Sequence, residues 1–147
     1  MEKEQLLVSA CLLGLKCRYD GGRRPLDAEL IDLLMKRFEL VPVCPEQLGG
    51  LPTPREPSER RGMRVVMRSG RDVTAEYERG AQEALRLARL FSCRQALLKE
   101  RSPSCGSGEV YDGTFTGALT SGDGVTAQLL KENGIDVFGE GRVDELI

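Results

Sequence analysis

Four short apolar runs alternate with helix-patterned segments, and this alternation limits the fold more than any other feature of the chain. QLLVSA (5–10), ELVPV (39–43), RQALLK (94–99) and IDVF (135–138) read as strands. DAELIDLLMKRF (27–38) reads as an amphipathic helix. Leu30, Ile31, Leu33, Leu34 and Phe38 cover one side, and Asp27 suits the N-cap. Residues 75–92 form a second helix, with Ala81, Ala84, Leu85, Ala88 and Phe91 on one face. Residues 124–134 form a third, which Asp123 can cap and Gly134 can stop. MRVVMRSGRDVT (63–74) alternates around Ser69-Gly70 and predicts a small hairpin, while 45–62 is a loop rich in Pro, Gly and Arg. Pro42 fits poorly in a central strand. The expected fold is a single compact α/β domain over 1–147: a mainly parallel, Rossmann-like sheet with flanking helices, plus a small β-hairpin. Ligands of such sheets bind outside the carboxyl ends of the strands.

Composition narrows the class. The 147 residues are 40% hydrophobic and 30% charged, as in soluble globular proteins. No apolar run approaches the ~18 residues of a membrane span. The start, MEKEQLLVSA, does not resemble a secretory signal, so a cytoplasmic protein is expected. A net charge of −2 argues against a nucleic-acid coat or a membrane-surface protein. Arginines still cluster in two loops: Arg18, Arg23 and Arg24 in one, Arg55, Arg60, Arg61 and Arg64 in the other. They either bind an anion or are solvated and paired with Glu56 and Glu59. There are five cysteines and no histidine. An odd count in such a chain speaks against a disulfide framework. Any metal must therefore be held by thiolates, carboxylates or backbone.

The cysteines fall in a pattern. Cys11 follows the first expected strand, Cys44 the second, and Cys105 the third after a short turn. Residues 33 and 61 positions apart would then meet at one sheet edge, in loops of Gly, Pro and Ser where backbone can approach a bulky ligand. Cys93, at the end of a helix, reads as packing. Cys17 shares a loop with Cys11 and reads as a fourth ligand, a resolving thiol or a bystander. Structural zinc prefers four ligands in paired Cys-x-x-Cys knuckles, which this sequence lacks. An iron–sulfur cluster accepts cysteines from distant loops, and three ligands on a 4Fe-4S cluster leave one iron open to a sulfur donor. Glu46, two residues after Cys44, would have its pKa raised beside an anionic cluster, toward the range of a general base. Ser102 and Ser104 flank the third cysteine and can donate hydrogen bonds to a substrate.

Three blocks, VSACLLGLKCRYDGG (8–22), VPVCPEQLGGLPTPREPSE (41–59) and LLKERSPSCGSGEVYDGTFTG (97–117), resemble the signature blocks of the thiouracil desulfurase family. The resemblance covers nearly the whole chain. It implies a 4Fe-4S enzyme that removes sulfur from thiolated pyrimidines, with Cys11, Cys44 and Cys105 as ligands and one open iron. It matches Glu46 to the catalytic glutamate and Ser102 to the catalytic serine, with Ser104 close by. Some relatives carry a second domain that this chain lacks, so large RNA is not an expected substrate.

The implied reaction polarises a thiocarbonyl at the open iron while Glu46 activates water and Ser102 orients the ring. Candidate substrates are 2-thiouracil, 4-thiouracil and 4-thiouridine monophosphate. For a nucleotide, Ser104, Arg23, Arg24 and Arg55 would contact the substrate. Backbone N–H groups of Gly122-Asp123-Gly124 could add a phosphate site. The alternatives are a cysteine-ligated metal or cluster protein without turnover, a thiol or persulfide sulfur-transfer enzyme, and a nucleotide-binding module with idle cysteines.

Overall fold

The structure, a computed structural model, describes residues 2–22 and 25–147. Arg23 and Arg24, expected to contact substrate, lie outside the described residues. The apolar runs form β1 (Glu4–Ser9), β2 (Phe38–Val43), β5 (Gln95–Leu98) and β8 (Asp136–Gly139), numbered along the chain. They make one four-stranded sheet in the order β2-β1-β5-β8, with all three pairings parallel. Leu6, Leu7 and Val8 of central β1 are fully buried, because a parallel sheet is covered on both faces. Pro42 is accommodated because β2 is an edge strand, where a missing N–H costs no ladder bond on the open side.

The side chains of the strands alternate between two cores. Leu7, Ala96, Leu98 and Val137 pack with Ala84, Leu85 and Ala88 of α3 (Thr74–Leu90) and with Ala127 and Leu130 of α4 (Val125–Glu132). Leu6, Val8 and Leu97 pack on the other face with Leu34 of α1 (Ala28–Arg37), Phe38, Val143 and Leu146. The α/β expectation therefore holds, with helices on both faces. No helix among the described residues is long and apolar enough to cross a membrane.

Several boundaries differ. Phe38 is already in β2 rather than in the helix, and Phe91 is 42% exposed rather than on a buried face. Asp27 occupies the α1 N-cap without a side-chain bond. Gly124, not Asp123, is the N-cap of α4. The hairpin pairs β3 (Ser58–Arg61) with β4 (Arg64–Met67) and turns at Gly62-Met63. Across the expected Ser69-Gly70 turn the chain forms a Val66–Asp72 antiparallel bridge, with the Met67 N–H donating to Arg71 O and the Val73 N–H to Val65 O, but no second strand forms there. Its first strand, SERR, is nearly all charged and so carries no apolar alternation. A second small sheet, β6 (Glu109–Tyr111) with β7 (Leu119–Ser121), was not expected. Its three-residue strands are too short for a periodic signal, and β7 is exposed throughout.

Short α2 (Pro45–Leu48) leans on α3 through bare backbone. A Cβ on Gly49 would lie 2.0 Å from the carbonyl oxygen of Glu76, and one on Gly80 would lie 2.0 Å from that of Pro45. Glycine at both positions lets the two helices touch, and that contact fixes where Cys44 and Glu46 stand.

Candidate active site and thiol-lined cavity

A cavity of about 1090 Å³ opens at the carboxyl edge of the sheet. Cys11 reaches it from the 3-10 turn that ends β1, Cys44 from the β2–α2 junction, and Cys105 from the loop after β5. The structure thus brings the three expected cysteines onto one cavity, and it adds Cys17. Cys93 packs in the core against Ala88 and Ile135, away from the cavity, as expected. All five thiols are free.

Among the described residues, no three donors converge as a single metal ion requires. A cluster instead holds each thiolate at a separate iron. An all-sulfur donor set drawn from three loops, without histidine, fits that chemistry. Burial pushes the Cys11 thiol up to about 12, with the Cys17 and Glu46 charges adding and Lys99 opposing. Burial, then Glu46, lifts Cys44 to about 12 as well. Cys105, the most enclosed, is raised well above the usual thiol range, chiefly by burial. Thiols in this setting stay protonated until a metal's positive charge makes thiolate favourable.

Glu46 lies in the first turn of α2 and lines the same cavity. Burial raises its pKa, and Arg55 opposes the shift. Arg55 Nη2 lies 3.7 Å from Glu46 Oε2, and the two side chains are 4% and 13% exposed. The same nitrogen donates to the Cys17 carbonyl at 3.2 Å, and Nη1 donates to Thr53 Oγ1 at 3.1 Å. Arg55 is thereby committed to protein partners. It ties the Cys17 loop to the segment after α2 and, as a residue expected to contact substrate, it also lines the cavity.

The two serines separate clearly. Ser102 lines the cavity, and its Oγ accepts from the N–H groups of Ser104 and Cys105, each at 3.1 Å. Because both bonds are accepted, its own hydroxyl proton is left to donate. Ser104 is fully buried, bonded to Thr126 Oγ1 at 2.8 Å, and does not line the cavity. Its expected substrate contact gives way to packing of the Cys105 loop on α4.

The expected phosphate site at Gly122-Asp123-Gly124 is also corrected. The Gly124 N–H donates to Gly106 O, and Thr126 and Ala127 donate to Ser104 O. A Cβ on Gly124 would lie 2.4 Å from the Ser104 carbonyl. The amides at this helix start are spent on the cysteine loop.

The clustered arginines mostly have protein partners other than Glu56 and Glu59. Arg60 bonds Asp123 O and Gln128, Arg61 bonds Gly113 O, and Arg64 pairs with Asp72. The sequence reading did not single out Lys99, Glu140, Arg68 or Phe115, which also line the cavity. Lys99 Nζ lies 2.8 Å from Glu140 Oε2. Lys99 and Glu140 follow β5 and β8 directly, so the rule that located the cysteines also points to them.

Fold and site together define an α/β protein with a thiol-lined cavity at the carboxyl edge of a parallel sheet. The chain belongs to the 2-thiouracil desulfurase family, whose sequence profile matches residues 6–142. It is 42% identical over 152 residues to the uncharacterized protein YbbK of Bacillus subtilis (strain 168), covering 97% of this chain and 99% of that one. Its structure is similar to that of the 4Fe-4S-dependent thiouracil desulfidase TudS. The TM-score is 0.94 at 51% identity, over 98% of this chain and 95% of the other.

Proposed function

We propose that this chain is a 4Fe-4S-dependent enzyme that removes sulfur from thiolated pyrimidines, releasing the oxygenated base and hydrosulfide. The observation that carries the reading is the placement of Cys11, Cys44, Cys105, Glu46 and Ser102 on one cavity in a chain of this family. Cys11, Cys44 and Cys105 hold the cluster. When bound, it supplies an open iron that acts as a Lewis acid toward a substrate sulfur.

The remaining work falls to side chains. Glu46 Oε takes a proton from the attacking water, since burial lifts it toward the range of a useful base. Ser102 Oγ–H donates to the pyrimidine and orients the ring. Arg55 holds Glu46 in place. The cavity volume, about 1090 Å³, admits a free base or a nucleoside monophosphate. For a nucleotide, Arg68 and Arg101 are exposed guanidinium groups that line the cavity.

Anaerobic reconstitution tests the reading. Four irons and four sulfides per chain, with sulfide released from 2-thiouracil, 4-thiouracil or 4-thiouridine monophosphate, are expected. A loaded protein that releases none from any of them would leave a cluster-binding protein without turnover. Cys17 on the cavity favours one second reading, sulfane-sulfur transfer, in which a cavity thiolate takes the outer sulfur of a persulfide donor and the donor leaves as a thiolate. Persulfide labelling of a cavity cysteine in the iron-free protein supplied with a persulfide donor, with no sulfide release from thiolated pyrimidines by the loaded protein, would establish that instead.

A further inference from the structure

Glu59 on β3 lines the cavity and is only 8% exposed. Its Oε1 accepts from the Gly113 N–H at 2.9 Å and the Phe115 N–H at 3.1 Å. Among the described residues, no cation pairs with it. Oε2 takes no hydrogen bond yet is not sealed from solvent. A buried carboxylate needs donors to offset its lost hydration, and here only one of its two oxygens has them. The adjacent Ser58 Oγ is buried on the same cavity with no hydrogen bond of ordinary geometry, its contact with the Tyr77 hydroxyl being a weak one. Together these leave unmet polar capacity on one stretch of cavity wall.

The segment that Glu59 holds is itself constrained. Phe115 has φ 58°, a conformation that a side-chain-bearing residue adopts only when something holds it. Its ring lies 5.7 Å from the Arg68 guanidinium and 6.0 Å from that of Arg61. Gly113, at φ 94°, has no room for a Cβ, which would meet Arg61 Cγ at 2.4 Å. The result is a fixed aromatic wall on the cavity.

We propose that Glu59 determines substrate specificity: Oε2 accepts a hydrogen bond from a ring N–H of the thiolated pyrimidine, while Oε1 pins the Gly113–Phe115 wall beside it. This rests on the desulfurase reading above. A carboxylate oxygen that accepts at N3 favours thiouracil-type rings, whose N3 carries a proton, over thiocytosine-type rings, whose N3 is itself an acceptor.

Glu59→Gln separates the two roles. The amide oxygen can still accept from Gly113 and Phe115, while an NH₂ donor replaces the second acceptor. The cluster-loaded variant is expected to raise KM for 4-thiouracil by roughly tenfold or more. Hydrogen exchange at the Gly113 and Phe115 amides should match the wild type. Methylation of one ring nitrogen of 4-thiouracil should raise KM in the wild type and change it little in the variant. A KM within about twofold of wild type would overturn the proposal. So would a methylation penalty that is equal in both proteins at each ring nitrogen, or a KM rise accompanied by lost amide protection. A loaded wild type that releases no sulfide would instead sink the parent reading, so the two failures are distinguishable.

Discussion

Arg55 stands 3.7 Å from Glu46 and, through the same Nη2, holds the carbonyl of Cys17 at 3.2 Å. One guanidinium therefore joins the carboxylate after the second strand to the loop after the first. Neither loop has a sheet ladder of its own at this point, so the tie substitutes for one.

Replacing it should be expensive. Arg55→Ala leaves a nearly buried carboxylate without its cation and a carbonyl without its donor. The expected loss is about 2–4 kcal/mol in the metal-free protein. Urea unfolding of the apo form measures it. A loss indistinguishable from that of an exposed arginine such as Arg71 would show that the tie is ornamental.

Gly80 gives a prediction of opposite sign to the usual rule. Glycine to alanine inside a helix normally gains about 1 kcal/mol. At Gly80 the new methyl would meet the Pro45 carbonyl at 2.0 Å. Backbone cannot retreat cheaply there, so α2 must move and carry Cys44 and Glu46 with it. Gly80→Ala should destabilise the fold by about 1–3 kcal/mol and lower the iron retained after reconstitution. Chemical denaturation and iron analysis on one preparation check both.

These contacts mark where sequence reasoning stopped. The four parallel strands were legible because continuous apolar runs such as LLV are what a doubly covered strand requires. The cysteine convergence followed from their places after those strands. The split between Ser102 and Ser104 was not legible, since both sit in one turn and only the packing of Thr126 decides which hydroxyl is buried. Glu59 and Arg60 read as loop charges because their partners, Gly113 and Asp123, lie more than fifty residues away. Glycine contacts such as Gly49 with α3 leave no periodic trace at all.

Asp72 ties stability to acid. Its carboxylate accepts from the Thr74 N–H at the start of α3 and pairs with Arg64. Bonds from Thr74, with Arg64 adding, lower its pKa to about 2. A depressed folded pKa contributes stability that is present above the unfolded value, near 3.9. That contribution fades as pH falls from there through about 2. Asp72→Asn should thus melt lower than wild type at neutral pH, with the gap closing in that acid window. Melting temperatures of both proteins across pH 2–7 test the direction, and a gap that widens in acid would contradict it.

Cys17 separates thiol from backbone. What the site takes from this residue is its carbonyl, which accepts from Cys44 Sγ at 3.6 Å and from Arg55. Serine keeps that carbonyl and nearly the same volume. Cys17→Ser should therefore retain cluster iron and sulfide release within about twofold of wild type. Cys11→Ser, Cys44→Ser and Cys105→Ser each replace a soft thiolate donor with a hard alcohol that iron–sulfur chemistry does not favour. Those three should lose most of their iron on anaerobic desalting. Iron and acid-labile sulfide per chain, measured across the four variants, decide the matter. Equal loss in all four would make Cys17 a ligand and remove the open coordination position on which the proposed chemistry depends.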